Sequence, residues 1–391
     1  ECIKNKIIKN NEFEDLEVNI KEQVDLDTEW AELQDDPVPN SFSKNLFSDN
    51  ININFSSESE IHQIETDKSV MVDAINHALS EELDENKKMI LFGQDIAGGK
   101  GGVFTATRGL TEKFGSDRVF NSPLAESSII GTAIGMATLG YKPVVEIQFG
   151  DYIWTAMMQI RNELATLRYR SNGDWYCPLV VRVPVGGYIH GSLCHSQSID
   201  GYFTHLPGVY IAYPSNAADA KALLKTACRI DDPVLFLEHK GLYRQNYASA
   251  NEPDTNTLLE FGKGRYVSFG NDITIITWGA IVQKSLEAVK ELGVSADIID
   301  LRTLYPLDID IIKESVSKTN RIVIAHEDNL TNGFGGEISA QISEHLFEFL
   351  DAPILRVASK DLPIAYSSAL EQNILLQTDW IKDAINKTIN Y

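Results

Sequence analysis

From Asp67 onward the apolar positions alternate between two periods. Ser69–Leu83 sets Val72, Ile75, Leu79 and Leu83 on one side of an amphipathic helix. Met89-Ile90-Leu91-Phe92 is an unbroken apolar run of the length of a buried strand. The alternation continues with a strand at Val144–Phe149, a helix at Ile153–Arg170, strands at Leu179–Val183 and Val209–Tyr213, a helix at Ala217–Ile230 and a strand at Val234–Leu237. Continuous apolar strands between helices predict a mostly parallel sheet covered on both faces. Residues 244–262 are a polar break. A second series follows, with strands at Ile273–Trp278, Ala296–Leu301, Arg321–Ala325 and Ile354–Val357, and helices at Ile281–Leu292, Ile309–Lys318 and Gly336–Leu350. The fold class is α/β, with one domain at 67–243, a linker at 244–262 and a smaller domain at 263–391.

The first 66 residues have a different texture, rich in Glu, Asp, Asn and Ser. Phe13, Leu16, Ile20 and Val24 repeat at helical spacing, and Asp35-Asp36-Pro37-Val38-Pro39 stops the helix. Residues 40–65 read as a polar, extended linker. Such a segment cannot bury a core of its own. The whole chain has 391 residues, 43% of them hydrophobic, enough for more than one core. Its net charge of -22 argues against a nucleic-acid partner and for a cytosolic (cytoplasmic) enzyme. No apolar run has the length of a membrane span. The four cysteines, Cys2, Cys177, Cys194 and Cys228, form no C-x-x-C pair and read as free thiols.

Three places carry candidate chemistry. Gly98-Gly99-Lys100-Gly101-Gly102 follows a strand, but no Ser or Thr follows Lys100, so a loop near a ligand or interface fits better than a phosphate cradle. Ser122-Pro123-Leu124-Ala125-Glu126 leads into a helix almost free of charge, which reads as buried, with small residues that permit close packing. Glu126 opens that helix. Either the helix dipole favours it there, or it is a carboxyl group in apolar surroundings, with a raised pKa, able to exchange a proton. The loop from Gly186 to Ser198 holds His190, Cys194 and His195. A Cys194–His195 nucleophile pair or a zinc site is less well matched than a histidine acting as acid, base or oxyanion partner. His62, His77, His205, His239, His326 and His345 read as structural or surface residues, with an interface role open for His326.

Several motifs together resemble one family. They are Gly101-Gly102-Val103-Phe104, Arg118 to Glu126, Glu146-Ile147-Gln148-Phe149, His195-Ser196-Gln197, Pro207-Gly208, Asp300 to Pro306, His326-Glu327 and Gly333 to Glu337. Residues 67–391 resemble the β subunit of the thiamine-diphosphate-dependent 2-oxo acid dehydrogenases, in their first, decarboxylating component. The resemblance implies a pyrimidine-binding, transketolase-like domain followed by a transketolase C-terminal-like domain. It implies a site shared between two subunits. An α-type part would hold the diphosphate through magnesium with a Gly-Asp-Gly motif, which this chain lacks. This chain would contribute Glu126 to the aminopyrimidine ring, with the Leu124 carbonyl, Gln148 and Tyr152 beside it. His195 would stand at the substrate end, with His190 as its neighbour. A structural potassium ion is implied at backbone carbonyls near Cys177, Leu179, Val180, Ala227, Ile230 and Asp232, where local lengths differ by a residue. Gln94-Asp95 departs from the family's frequent Glu-Asp, a change that does not bear on the argument for Glu126 but weakens any charge assigned to that loop.

The resemblance also gives the front of the chain a meaning. The chain begins at Glu1, and its helical stretch followed by Asp-Pro-Val-Pro resembles the tail of the family's α subunit. A fused α–β polypeptide, truncated near the end of its α part, is expected. The activity implied is oxidative decarboxylation of a 2-oxo acid with acyl transfer to a lipoyl domain. Tyr213-Pro214-Ser215-Asn216-Ala217 and His239-Lys240-Gly241-Leu242-Tyr243 favour the branched-chain (2-oxoisovalerate) type, with pyruvate dehydrogenase as the near alternative and acetoin dehydrogenase and transketolase behind. The implied partners are the α-type part, the lipoyl and subunit-binding domains of the acyltransferase core, and a second copy through the C-terminal domain. A silent module that docks this core is the reading of another class.

Overall fold

The computed structural model describes residues 3–49, 53–62 and 66–391. Cys2 and the side chain of His62 lie outside the described residues. The strands, in chain order, are β1 (Lys68–Ser69), β2 (Met89–Gly93), β3 (Val119–Asn121), β4 (Lys142–Glu146), β5 (Val180–Val185), β6 (Tyr210–Ala212), β7 (Val234–His239), β8 (Ala250–Asn251), β9 (Arg265–Ser268), β10 (Ile273–Thr277), β11 (Ala296–Asp300), β12 (Thr303–Tyr305), β13 (Ile322–Asn329) and β14 (Leu355–Ser359). They form a seven-stranded sheet ordered β12-β6-β7-β5-β4-β2-β3, a five-stranded sheet ordered β14-β13-β10-β11-β9 and a two-stranded ribbon. Pairing is parallel except for β1–β8, β9–β11 and β12–β6. The apolar runs read as strands are the central strands of the two large sheets, together with the edge strand β14. Among the described residues no helix is long and apolar enough to cross a membrane.

Residues 1–44 form one compact unit and residues 45–391 another. In the first, the helix Asn10–Glu32 buries none of its residues, and Phe13, Leu16, Ile20 and Val24 are all exposed. In the second, the two large sheets are tied together. β12 follows β11 in the chain yet pairs with β6 of the first sheet. Trp278, just after β10, donates its indole N–H to Asp200 at 2.9 Å. The same ring stacks on His326 of β13 at 5.2 Å. His326 is fully buried, and burial pushes its imidazole down to about 4, so this histidine is core and not interface.

The segment expected as an extended linker lies on this body from residue 45. The Ser48 N–H bonds Asp232 at 2.9 Å, the Ser56 N–H bonds the Leu258 carbonyl at 2.8 Å, and Ile61 is fully buried. The reason is electrostatic. Arg302 is buried beside Asp219 at 2.9 Å, and the Glu58 carboxylate completes the charge balance of its guanidinium. A second departure is Ile153–Arg170. It is not one α-helix but a 3-10 turn at Gly150–Ala156, a wide turn at Gln159–Leu164 and a short helix at Leu167–Arg170. The Thr155 carbonyl is taken by the Ser127 hydroxyl, and Ala165 N–H reaches back five residues to Ile160 at 2.9 Å. The backbone is thus committed to partners outside a regular helix.

The seven-stranded sheet carries a buried charge at its centre. Arg182 of β5 donates to Glu146 of β4 at 2.8 Å and to both oxygens of Glu238 of β7 at 2.7 and 2.8 Å. Tyr243 adds its hydroxyl to Glu238 at 2.6 Å. All four side chains are buried. Removing the cation would leave two carboxylates in a dry sheet. Arg182→Ala is expected to lower unfolding stability by about 3–5 kcal/mol. Urea denaturation of the full chain measures this, and a loss below about 1 kcal/mol would contradict it.

Candidate active site

β3 ends at Asn121, and a short turn delivers the chain into the helix Glu126–Thr138. The Ser122 N–H bonds the Gly93 carbonyl at 2.8 Å, which fixes the turn against β2. Ile129, Ile130, Ala133 and Ala137 face the core. Ser128, Gly131, Thr132, Gly135 and Leu139 are exposed. The charge-free helix is therefore not buried within this chain. One face is covered, and the other is a bare strip of small residues. Its lack of charge reflects a surface suited to close contact.

Glu126 stands at the start of this strip. One carboxylate oxygen accepts from the Gln94 amide at 3.0 Å, the other from the Thr155 hydroxyl at 2.9 Å. Burial pulls the carboxyl up, but the Gln94 amide, its own backbone N–H and the Thr155 hydroxyl together hold it below the ordinary glutamate value. The expected raised pKa is thus not found in the chain by itself, because the carboxyl is only half-buried and has charge-stabilising donors. Gln94, where the family often has Glu, is the direct partner of this carboxylate. The signal was present in the Gln-for-Glu departure. An amide can donate to an ionised carboxylate, whereas a second carboxylate would repel it.

The single Thr155 proton goes to the closer Glu126, and the same hydroxyl oxygen lies 3.3 Å from the Tyr152 carbonyl, so the turn that holds Glu126 carries Tyr152. The Tyr152 hydroxyl lies 2.8 Å from Nε2 of His195. Nδ1 of His195 lies 3.2 Å from the Gly191 carbonyl, which only accepts. The proton therefore belongs on Nδ1, and Nε2 accepts from Tyr152. Phe149 meets the imidazole edge-on at 4.5 Å. Both ring nitrogens are engaged away from Cys194, which leaves no nucleophile pair. Gln148 donates to the Gln94 carbonyl at 3.2 Å, so it supports the Gln94 backbone, and the Leu124 side chain is 80% exposed. His190 goes elsewhere: its Nδ1 lies 2.7 Å from Glu371 of the helix Ser368–Ile374. The structure joins Glu126, Tyr152 and His195 in one bonded chain and leaves His190 outside it.

The loop bearing His195 is clamped by the second sheet. Glu327 of β13 accepts from the Gly187 N–H at 2.6 Å and pairs with His239 at 2.5 Å. Burial would raise the Glu327 carboxyl, but His239 and the Gly187 N–H hold it below its usual range. Behind Phe149 the buried Lys240 ammonium sits 5.5 Å from the ring, pushed down to about 7 by burial. The glycine loop is a tight turn and no phosphate cradle. At Gly101, with φ 64°, a Cβ would lie 2.4 Å from the Arg108 Cα.

The arrangement suits an aminopyrimidine. Glu126 offers a carboxylate oxygen to a ring nitrogen, and Tyr152 offers an aromatic face, on a surface that this chain leaves open. The stretch expected to hold potassium does not fit a metal ion. The Cys177 carbonyl already accepts from Leu179 N–H at 2.8 Å, and the Leu179 carbonyl accepts from Val234 N–H at 2.9 Å. Val180 lies within β5, paired with Val144 and Val234. The Asp232 carboxylate is engaged by Ser48 and Arg168. The Ile230 carbonyl accepts from the buried Lys142 ammonium at 2.8 Å. Burial pushes that ammonium down to about 8, which still leaves it mostly charged at neutral pH.

Comparison with known proteins identifies the family of both domains. Residues 67–246 match the transketolase pyrimidine-binding domain, and residues 262–381 match the transketolase C-terminal domain. The 2-oxoisovalerate dehydrogenase subunit beta of Bacillus subtilis is 44% identical over 324 residues, covering 82% of this chain and 98% of that protein. The mitochondrial 2-oxoisovalerate dehydrogenase subunit beta of Dictyostelium discoideum is 45% identical over 304 residues, covering 76% of this chain and 81% of that one. The pyruvate dehydrogenase E1 component subunit beta of Bacillus subtilis is 42% identical over 302 residues, covering 76% and 92%. A solved split-gene transketolase, described as an inactive beta4 tetramer, shares the fold with a TM-score of 0.65 at 24% identity, over 82% of this chain and 98% of that chain. The chain belongs to the beta subunits of the thiamine-dependent 2-oxo acid dehydrogenases.

Proposed function

We propose that this chain supplies the aminopyrimidine half of a thiamine diphosphate site, with an α-type partner holding the diphosphate and magnesium. The observation that carries this reading is the bonded chain Gln94–Glu126–Thr155–Tyr152–His195 at the edge of an uncovered, uncharged helix face. When bound, the cofactor would supply the carbon nucleophile that adds to a 2-oxo acid. Glu126 would hold and move a proton between its carboxylate and the pyrimidine ring nitrogen. A partner laid over the helix would exclude water. Burial is already the largest influence on Glu126, so covering it would push the carboxyl upward, toward the range of a working acid.

His195 would act at the substrate end. Its Nε2, placed by Tyr152, would take up a proton, and the resulting N–H would stabilise charge on the substrate and return the proton as the acyl group passes to a lipoyl domain. The branched-chain type is favoured by the run His239 to Tyr243 and by the two 2-oxoisovalerate relatives, with pyruvate as the alternative. Docking of the acyltransferase core and pairing of two copies through the C-terminal domain belong to the same reading.

In the assembled enzyme, Glu126→Gln is expected to fold normally and to lower decarboxylation by roughly a hundredfold or more. Near-normal turnover across a panel of branched-chain acids and pyruvate would sink the assignment. His195→Ala should reduce acylation of a lipoyl domain more than decarboxylation with an artificial electron acceptor. Equal losses in the two assays would refute that division. Gln94→Glu sets a second carboxyl against Glu126, and like charges raise the pKa of the pair. The pH profile of decarboxylation should then move to higher pH, and an unmoved profile would mean that Gln94 does not tune Glu126.

A further inference from the structure

The position of Lys142 carries a second conclusion, independent of the catalytic reading. It opens β4, and its side chain runs inward to the Ile230 carbonyl, 2.8 Å from the ammonium. Lys142 is 5% exposed, a rare state for lysine. Ile230 follows the helix Ala217–Arg229 in extended conformation, so its carbonyl turns out of the helical ladder and is available to Lys142. Burial weighs against the charge, and the Asp231 and Asp232 carboxylates near by offset part of that cost. The place thus holds one small monovalent cation on an inward-facing carbonyl.

We propose that the Lys142 ammonium is a tethered internal cation that occupies this place, so that this chain binds no potassium there. An ammonium group and a potassium ion are similar in size and charge. A mobile ion beside Lys142 would meet a like charge across a single carbonyl, which disfavours both occupying the site. Two of the candidate carbonyls are already engaged. Those of Cys177 and Leu179 point into backbone hydrogen bonds. The chain carries its own cation on β4, and the join between β4 and the 217–230 helix then needs no ion from solution.

Thermal unfolding of the full chain tests this at constant ionic strength in potassium, sodium or choline chloride. Wild type should unfold at the same temperature in all three salts. A potassium site loaded at a hundredfold its dissociation constant would raise Tm by about 3 °C in potassium alone, and that result would overturn the proposal. Lys142→Ala should unfold at lower temperature and regain part of the loss in ammonium or potassium chloride, but not in choline chloride. A variant that is destabilised yet indifferent to every cation would also overturn it, because the lysine would then be only a hydrogen-bond donor. If the variant does not fold, flame emission on gel-filtered wild type decides. No stoichiometric potassium is expected, and about one ion per chain would refute the tethered cation.

Discussion

The arrangement of the active-site residues depends on one buried cation. Arg182 joins β4, β5 and β7 through Glu146 and Glu238, three neighbouring strands of the seven-stranded sheet. Glu146 is the last residue of β4, and Gln148, Phe149 and Tyr152 follow within six residues. Glu238 stands beside His239 and Lys240, which lie under the His195 loop. The guanidinium thus sets the relative height of the strand ends from which the site residues emerge. Burial drives the Glu146 carboxyl upward against the pull of Arg182, while the Glu238 and Glu146 carboxylates hold the buried guanidinium charged, and bidentate hydrogen bonds fix the geometry of this centre.

The second sheet acts on the same site from behind. Glu327 grips Gly187 and His239, and Trp278 binds Asp200 just beyond the loop. β12 makes this union covalent in topology, since the second strand series donates an edge strand to the first sheet. The Glu58–Arg302 pair extends it to the segment before β1. The family domains meet along a boundary with hydrogen bonds and buried charge, so their relative position is part of the site's precision.

Periodicity made much of this visible. The central parallel strands are buried on both faces and read as continuous apolar runs, which is why β2, β4, β5, β7, β10, β11 and β13 could be placed from the residues alone. Glu126 and His195 were legible because motif chemistry and loop position coincided. Three things were not. The edge strand β12 has only three residues and an antiparallel partner far away in sequence. The Gln94–Glu126 bond joins groups 32 residues apart, a distance no local pattern encodes. Lys142 looks like a surface lysine until its neighbours are known. The burial assigned to the 126–138 helix failed for a related reason. Absence of charge marks a covered face, but does not say whose atoms cover it.

Gly135 lies on the bare side of that helix, and a Cβ there would meet nothing within 4 Å in this chain. A helical glycine costs roughly 0.5–1 kcal/mol relative to alanine, and nothing inside the fold explains it. On the proposed reading, an α-type part laid over this helix could approach its backbone closely only where no side chain stands. The identity of residue 135 would then be set by the fit to that part, while the fold around it here stays the same.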